Sequence, residues 1–475
     1  MKYIIKIMLI SISIISFFIC LYNYDTIPVG YKIMIYLPLI FIVGYVFLDI
    51  TVISQKRYLI TTYSLIILSF IRMTLIPLFA SLANEYREVE YGTFVDESIS
   101  KAISLITYEF IVCCLLIFFL TKIFKGGYFK FNSEINNRLV GNKLIYISFL
   151  ILGVIVFLLF GYKMNLIQFI AINSNTGERF GDASGTFYVL ITQIIKISVV
   201  IIFLLAVSYC SKKYYVNKKN RYFNIAIVVS LINVSLIIGE RRMTVIYTGI
   251  ASICVLIYAF PKKAKKILII IGTTMFFIIL LMTIYKSFYA FMYESYFSAI
   301  QNSSLELSFI PQTLQAYFWG PHNISMMIDM KEIYSGDIGN ILFDFFRSTF
   351  GFNFMLKNSG ILTSITFNSF VYGTYTETGR LISSIAYGYY YLGFVFSPLF
   401  SGINIYLSML IENRFYKSKN FEEIFLWSYV LARIAISLLF NTPAIINVIT
   451  TLLGTMGLVF WVSKILKLKN IRLNN

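Results

Sequence analysis

Four charged residues stand inside apolar runs of the sequence: Arg72, Glu109, Lys196 and Arg433. A charge at the centre of a bilayer-spanning helix costs roughly 2.5–3.5 kcal/mol or more, so such residues are kept for a partner or a ligand. Helical rise puts each of them roughly 11–15 Å below the outer end of its run. Arg72 and Glu109 lie on consecutive, antiparallel runs and are expected to form a structural ion pair. Lys196 and Arg433 have no partner evident in the sequence. Either helix carbonyls and water satisfy them, or they line an electropositive cavity that takes an anion.

Two more arginines, Arg241 and Arg242, occupy the tip of an apolar hairpin in the stretch GERRMTVIY. Two readings fit them. They snorkel at the interface beside Glu240, or their guanidinium forks hold phosphate oxygens. The single histidine, His322 in YFWGPHNIS, is the best candidate for a general base; an ordinary imidazole titrates near pH 6.5, close to the operating pH of such a group. Its alternative is a structural loop histidine fixed between Pro321 and Asn323. Glu377, Asp337 and Glu306 are competing bases.

These residues must be positioned by membrane helices. The chain has 475 residues, 58% hydrophobic and 13% charged, against about 25% charged in ordinary soluble domains. Apolar runs of about 20 residues, long enough to cross hydrocarbon, recur from end to end. The expected fold is all-α and polytopic. It has about twelve transmembrane helices, near 4–22, 33–53, 59–82, 102–121, 144–161, 188–209, 224–239, 243–260, 267–288, 381–411, 424–442 and 444–463, in a single membrane domain. The first run has no cleavage-site pattern after it and is expected to be a retained span. One long outer loop, residues 287–379, separates spans nine and ten. Within it Ile341–Leu356 is broken by Asp344 and Arg347 and is expected to form an amphipathic helix in the interface.

Charge sets the orientation. With the N-terminus inside, about 25 of the 40 basic residues fall on the cytoplasmic side, and about 16 of the 22 acidic residues fall outside, as the positive-inside rule demands. Both termini are expected in the cytoplasm. The net charge of +18 is spread over short loops and is no nucleic-acid footprint. The five cysteines have neither metal-ligand spacing nor a disulfide pattern, and no metal or cofactor motif is found.

Two segments, GERRMTVIYTGI and ETGRLISSIAYGYYYLGFVFSPLFSGINIYL, resemble the recurrent pieces of the Wzy-type O-antigen and capsule repeat-unit polymerases. The first is similar to that family's Gly-x-Arg turn, and the second to its small-residue, Arg and aromatic run after a long periplasmic loop. The architecture is similar throughout, the local sequence over about 45 residues. The resemblance implies a metal-independent, cofactor-free glycosyltransferase of GT-C type in the bacterial inner membrane. Its substrates would be undecaprenyl-diphosphate-linked oligosaccharides, polymerised on the outer face, with membrane lipids and a chain-length regulator as partners.

On that reading Arg241, Arg242, Arg433, Lys196 and Arg347 hold diphosphate. Arg380 opens the tenth span as a further phosphate contact, unless it merely pairs with Glu377, as Arg347 would with Asp344. His322, Arg380 and Glu377 are the catalytic candidates. An O-antigen ligase shares this plan, and a flippase for the same lipid-linked units is the alternative from another class. A membrane acyltransferase would need an acidic neighbour for His322, and the sequence offers none nearby. The orientation has a direct check. A cysteine placed at Gly239 should react with an impermeant maleimide from outside the cell; labelling only after lysis would reverse the topology.

Overall fold

In hydrocarbon no water is available to backbone N–H and C=O groups, so apolar runs of this length close their hydrogen bonds within helices. The structure is a computed structural model and describes residues 2–88, 95–124, 139, 141–160, 186–235, 242–287, 296–301, 307–334, 336–356, 359–373 and 380–473. These are almost wholly helical; the strand-like pairing among them is one antiparallel bridge, Ser383 with Phe440. Among the described residues nine helices are long and apolar enough to cross a membrane, ten if one bent pair is counted as a span. The expected spans 224–239 and 424–442 appear as described helices of 16 residues, about 24 Å long. The chain divides into two compact units.

The first unit draws on Met1–Lys130, Leu305–Tyr416 and Arg433–Thr450. Its helices begin with α1 (Lys2–Tyr22), α2 (Leu37–Thr51), α3 (Leu59–Phe70), α4 (Ile76–Ala83) and α5 (Asp96–Ile123). Helices α3 and α4 are one span joined by a π turn, Ile71–Leu75. A π turn in a helix often marks a functional position, and Arg72 sits on this one. Helix α1 presents small polar residues to it at helical spacing. Ser16 donates to the Thr74 carbonyl at 2.9 Å, Cys20 to that of Pro77 at 3.5 Å, and Asn23 to that of Ser81 at 3.2 Å.

The second unit, within Phe131–Ser304, Lys417–Ala432 and Thr451–Asn475, contains α6 (Lys143–Phe160), α7 (Thr186–Asn217), α8 (Asn220–Ser235), α9 (Arg242–Ala259), α10 (Ala264–Ser287) and α11 (Tyr296–Gln301). Here α8 and α9 form the hairpin read from the sequence, joined by an Asn233–Ser252 hydrogen bond of 3.0 Å.

The expected long loop is not loop-like where it is described. It holds α12 (Phe309–Phe318), α13 (Pro321–Ile333), α14 (Ile338–Ser348), α15 (Phe352–Met355) and α16 (Thr363–Tyr372), all in the first unit. Helix α14 is amphipathic with inverted polarity. Ile338, Leu342 and Phe346, one turn apart, are exposed, while Asp344 and Ser348 are buried.

After this region α17 (Ser384–Phe396) and α18 (Leu399–Tyr416) follow, bent by 112°. The tenth expected span is therefore sharply bent, in the manner of a broken span or a re-entrant loop. A Cβ on Gly388 would lie 2.0 Å from the Ser397 carbonyl oxygen, so only glycine admits this return of the chain, and Gly393 takes a φ of +74° that glycine alone adopts freely. The chain ends with α19 (Phe421–Ile436), α20 (Thr442–Leu452) and α21 (Leu458–Leu473). A second break, at residues 437–441, lies beside the first. Ser384 N–H donates to the Leu439 carbonyl and Asn441 N–H to that of Ile382, while Asn404 Nδ2 donates to the carbonyls of Leu438 and Phe440. Irregular backbone inside a bundle is tolerated when it is satisfied in this way.

The expected Arg72–Glu109 pair is present and holds this arrangement. Arg72 Nη1 donates to Glu109 Oε2 at 2.5 Å, with the two side chains 2% and 1% exposed. Glu109 Oε1 accepts from Ser384 Oγ at 3.2 Å and from Ser401 Oγ, one residue on each half of the broken span. Removing one member of a buried pair costs about 3–5 kcal/mol. Glu109→Ala should lower the unfolding midpoint in micelles by more than Arg72→Met/Glu109→Leu together, because only the single variant strands a buried charge. Equal loss in both would show that the pair contributes nothing specific.

Candidate functional site

The site is built where α12 ends and α13 begins. Trp319 closes α12 in the left-handed region, φ +50°, a conformation costing a side-chain-bearing residue roughly 1–2 kcal/mol. It is stabilised there by two contacts: its carbonyl accepts from Arg72 Nε at 2.9 Å, and its indole stacks on Phe440 at 5.6 Å. Gly320 caps α13 and Pro321 fills the first helical turn, where a missing N–H costs nothing. Gln315 reaches back to accept from His322 N–H at 3.2 Å. Its amide donates to the Tyr86 carbonyl, which also accepts from Tyr31 OH. The segment before α5 is thereby tied to the start of α13.

This places His322, fully buried, against Glu88. The Glu88 backbone N–H donates to His322 Nδ1 at 3.0 Å. The accepting nitrogen carries the lone pair, so in the neutral ring the proton resides on Nε2. Burial, assisted by the positive charges of Arg380 and Arg87, lowers the imidazole from its ordinary 6.5 to about 4. The base role expected for His322 therefore meets an obstacle: its basic lone pair is already engaged, and its proton affinity is low. The geometry suits a neutral hydrogen-bond donor.

Arg380 lies just before α17, its side chain 3% exposed. Asn368 positions it, accepting from Arg380 N–H at 3.0 Å. Its guanidinium stands 5.1 Å from the Tyr372 ring centroid, donates from Nη1 to Met326 Sδ at 3.1 Å, and approaches Glu88 Oε1 at 3.7 Å. Its Nε and Nη2 donors are buried with no partner among the described residues. A buried, incompletely bonded guanidinium is the arrangement of a cation held ready for an anionic oxygen. Glu88 Oε2 accepts from Asn323 Nδ2 at 3.0 Å. Burial raises the Glu88 carboxyl above its ordinary range, and Arg380 and the Asn323 bond pull it back.

The remaining candidates fall elsewhere. Lys196 is half-buried on α7 and Arg242 opens α9, both in the second unit; Arg242 donates to Thr283 Oγ1 at 3.1 Å. Arg433 is half-buried near the end of α19. Arg347 does not make the Asp344 pair that its spacing suggests. It donates to the Asn353 carbonyl at 2.6 Å, while Asp344 accepts from Thr363 N–H at 3.1 Å and from Tyr387 OH at 2.9 Å. Arg241, Glu377 and Glu306 lie outside the described residues. Among those described, no three His, Cys, Asp or Glu side chains form a metal-binding group.

Glu88 was not singled out from the sequence, nor was Asn323. A glutamate in the polar stretch ANEYREVEYG carries no local signal, and only the burial of Glu88 reveals it. His322, which has no acidic neighbour in sequence, gains one in space.

The single histidine allows a direct test. Its ¹⁵N resonances in the full-length protein should report the Nε2–H tautomer and a neutral ring from pH 8 down to about pH 5. Arg380→Ala, which removes one of the charges disfavouring protonation, should move the titration upward, toward 6.5. A wild-type imidazole that titrates near 6.5 would show that it is solvated.

Comparisons with known proteins return no match: no family model fits the chain, and neither a curated protein nor a solved structure matches it.

Proposed function

We propose that this protein polymerises lipid-diphosphate-linked oligosaccharide repeat units at the outer face of the bacterial inner membrane, as a metal-independent glycosyltransferase with twelve spans and both termini in the cytoplasm. One observation carries the reading: the buried Arg380 guanidinium, with two donors directed at no described residue. A diphosphate leaving group develops negative charge as its bond to the sugar breaks. A preorganised cation in a water-poor site stabilises that charge strongly. The neutral His322 supports the reading as a donor beside it, and Glu377 is a further catalytic candidate. Arg241, Arg242, Lys196, Arg433 and Arg347 are proposed contacts to the diphosphates of the two lipid-linked substrates. The resemblance described above supplies the substrate class; an O-antigen ligase fits the same cation and the same lipid.

A second reading is a transporter of the same lipid-linked units. The broken span of α17 and α18 favours it, because discontinuous helices commonly frame transporter binding sites. Cells lacking the protein separate the readings. Surface glycan reduced to a single repeat unit supports the polymerase. Loss of all units from the surface anchor points to a ligase, and units trapped inside point to a transporter. Within the polymerase reading, Arg380→Ala should slow chain growth about 10²–10³-fold. Arg380→Lys, which leaves Glu88 a cationic partner but loses the planar fork, should recover only part of it. Full-length polysaccharide from both variants would remove Arg380 from the reaction.

A further inference from the structure

The polar groups around Glu88 form an incomplete set. Arg380 Nε and Nη2 are buried donors with no described partner, and Asn323 Oδ1 is a buried acceptor in the same condition. Asn323 Nδ2 is spent on Glu88 Oε2 at 3.0 Å, and Glu88 Oε1 stands 3.7 Å from Arg380 Nη1. A ligand that completes this set presents anionic oxygen to the guanidinium and a hydroxyl proton to the amide and carboxylate oxygens. A fully ionised diphosphate diester, which carries no hydroxyl of its own, supplies the first and not the second. A sugar hydroxyl beside a diphosphate supplies both.

We propose that Glu88 is the general base of the transfer, with Asn323 holding both the carboxylate and the attacking hydroxyl. The inference rests on the polymerase reading above. In the step, the acceptor hydroxyl oxygen forms a bond to the anomeric carbon of the donor while the bond from that carbon to the diphosphate oxygen breaks. The hydroxyl proton passes to Glu88. The electron pair of the broken bond leaves on the diphosphate, whose charge Arg380 meets. Glu88 then returns its proton to the departing diphosphate or to water, and no other reactant is consumed. The charged and titratable groups around Glu88 are Arg380 from the segment before α17, His322 from α13, Tyr31 from the turn Val29–Tyr36, and Glu85 and Arg87 from its own segment. A neutral His322 leaves Glu88 as the group whose ionisation governs the acidic limb of the rate.

The competing role is structural: Glu88 as no more than a counter-ion that orients Arg380. The two are separable with full-length protein in proteoliposomes, using lipid-linked repeat units extracted from cells that lack the protein. General-base catalysis typically contributes about 10²–10⁴-fold. Glu88→Gln should therefore lower kcat at least about 10²-fold with KM little changed, and should abolish the fall in rate at acidic pH. Glu88→Asp, which keeps a carboxylate, should retain an intermediate rate and the acidic limb, and it serves if the Gln variant fails to fold. A Glu88→Gln protein with near-normal kcat, or with raised KM at unchanged kcat, overturns the proposal, as does a Glu88→Asp protein without an acidic limb. A wild type that makes no polymer sinks the polymerase reading itself and Glu88's role with it, which is a different result from polymerisation that ignores Glu88.

Discussion

The carboxylate of Glu109 is the point on which the first unit is organised. In hydrocarbon a lone ion is too costly to keep, so Glu109 and Arg72 compel each other's burial. Glu109 then uses its second oxygen on Ser384 and Ser401, so two halves of a broken span are tied to one atom. Arg72 spends a further donor on the Trp319 carbonyl. Trp319 precedes His322 by three residues, and Arg380 precedes Ser384 by four. The polar site is thus built from short extensions of segments that the ion pair has already fixed. Its geometry follows from a charge balance struck at the neighbouring ion pair.

The site beside that pair has a different character. Arg380 and Glu88 are close enough to attract but not to form a tight bidentate bond, at 3.7 Å. A guanidinium saturated by a fork-to-fork carboxylate would have nothing left for a ligand. Here the carboxylate is shared with Asn323 and the guanidinium keeps free donors. His322 Nδ1 accepts from a backbone amide, a bond that does not depend on the Glu88 carboxylate. In this cluster the carboxylate of Glu88 is thus the member whose protonation would change the pattern of donors and acceptors.

How much of this was legible depends on where the cost of a residue is visible. A charge inside an apolar run announces itself, so the Arg72–Glu109 pair and the helical class could be read from the sequence. A charge in a polar connection does not. Glu88, Asn323 and the true partners of Asp344 emerge only when the connections are seen to be folded and buried. Local spacing misleads there: Asp344 and Arg347 are three residues apart on one helix, yet each bonds elsewhere, because Asp344 faces Thr363 and Tyr387 across the bundle. The break between α17 and α18 was hidden for the opposite reason. FVFSPLF is apolar apart from Ser397, and hydropathy does not register that Gly388 and Gly393 let the chain fold back.

Helix α14 has Asp344 and Ser348 turned inward and the large apolar Ile338, Leu342 and Phe346 turned outward. Such a surface has lost the ordinary preference for water. A fragment spanning α12 to α16, excised as an ectodomain, would carry that surface into aqueous buffer and clump through it, since exposed apolar patches of this kind drive association. Crystallisation or display of this region calls for a bilayer mimic around it, even though none of its described helices is long enough to cross one.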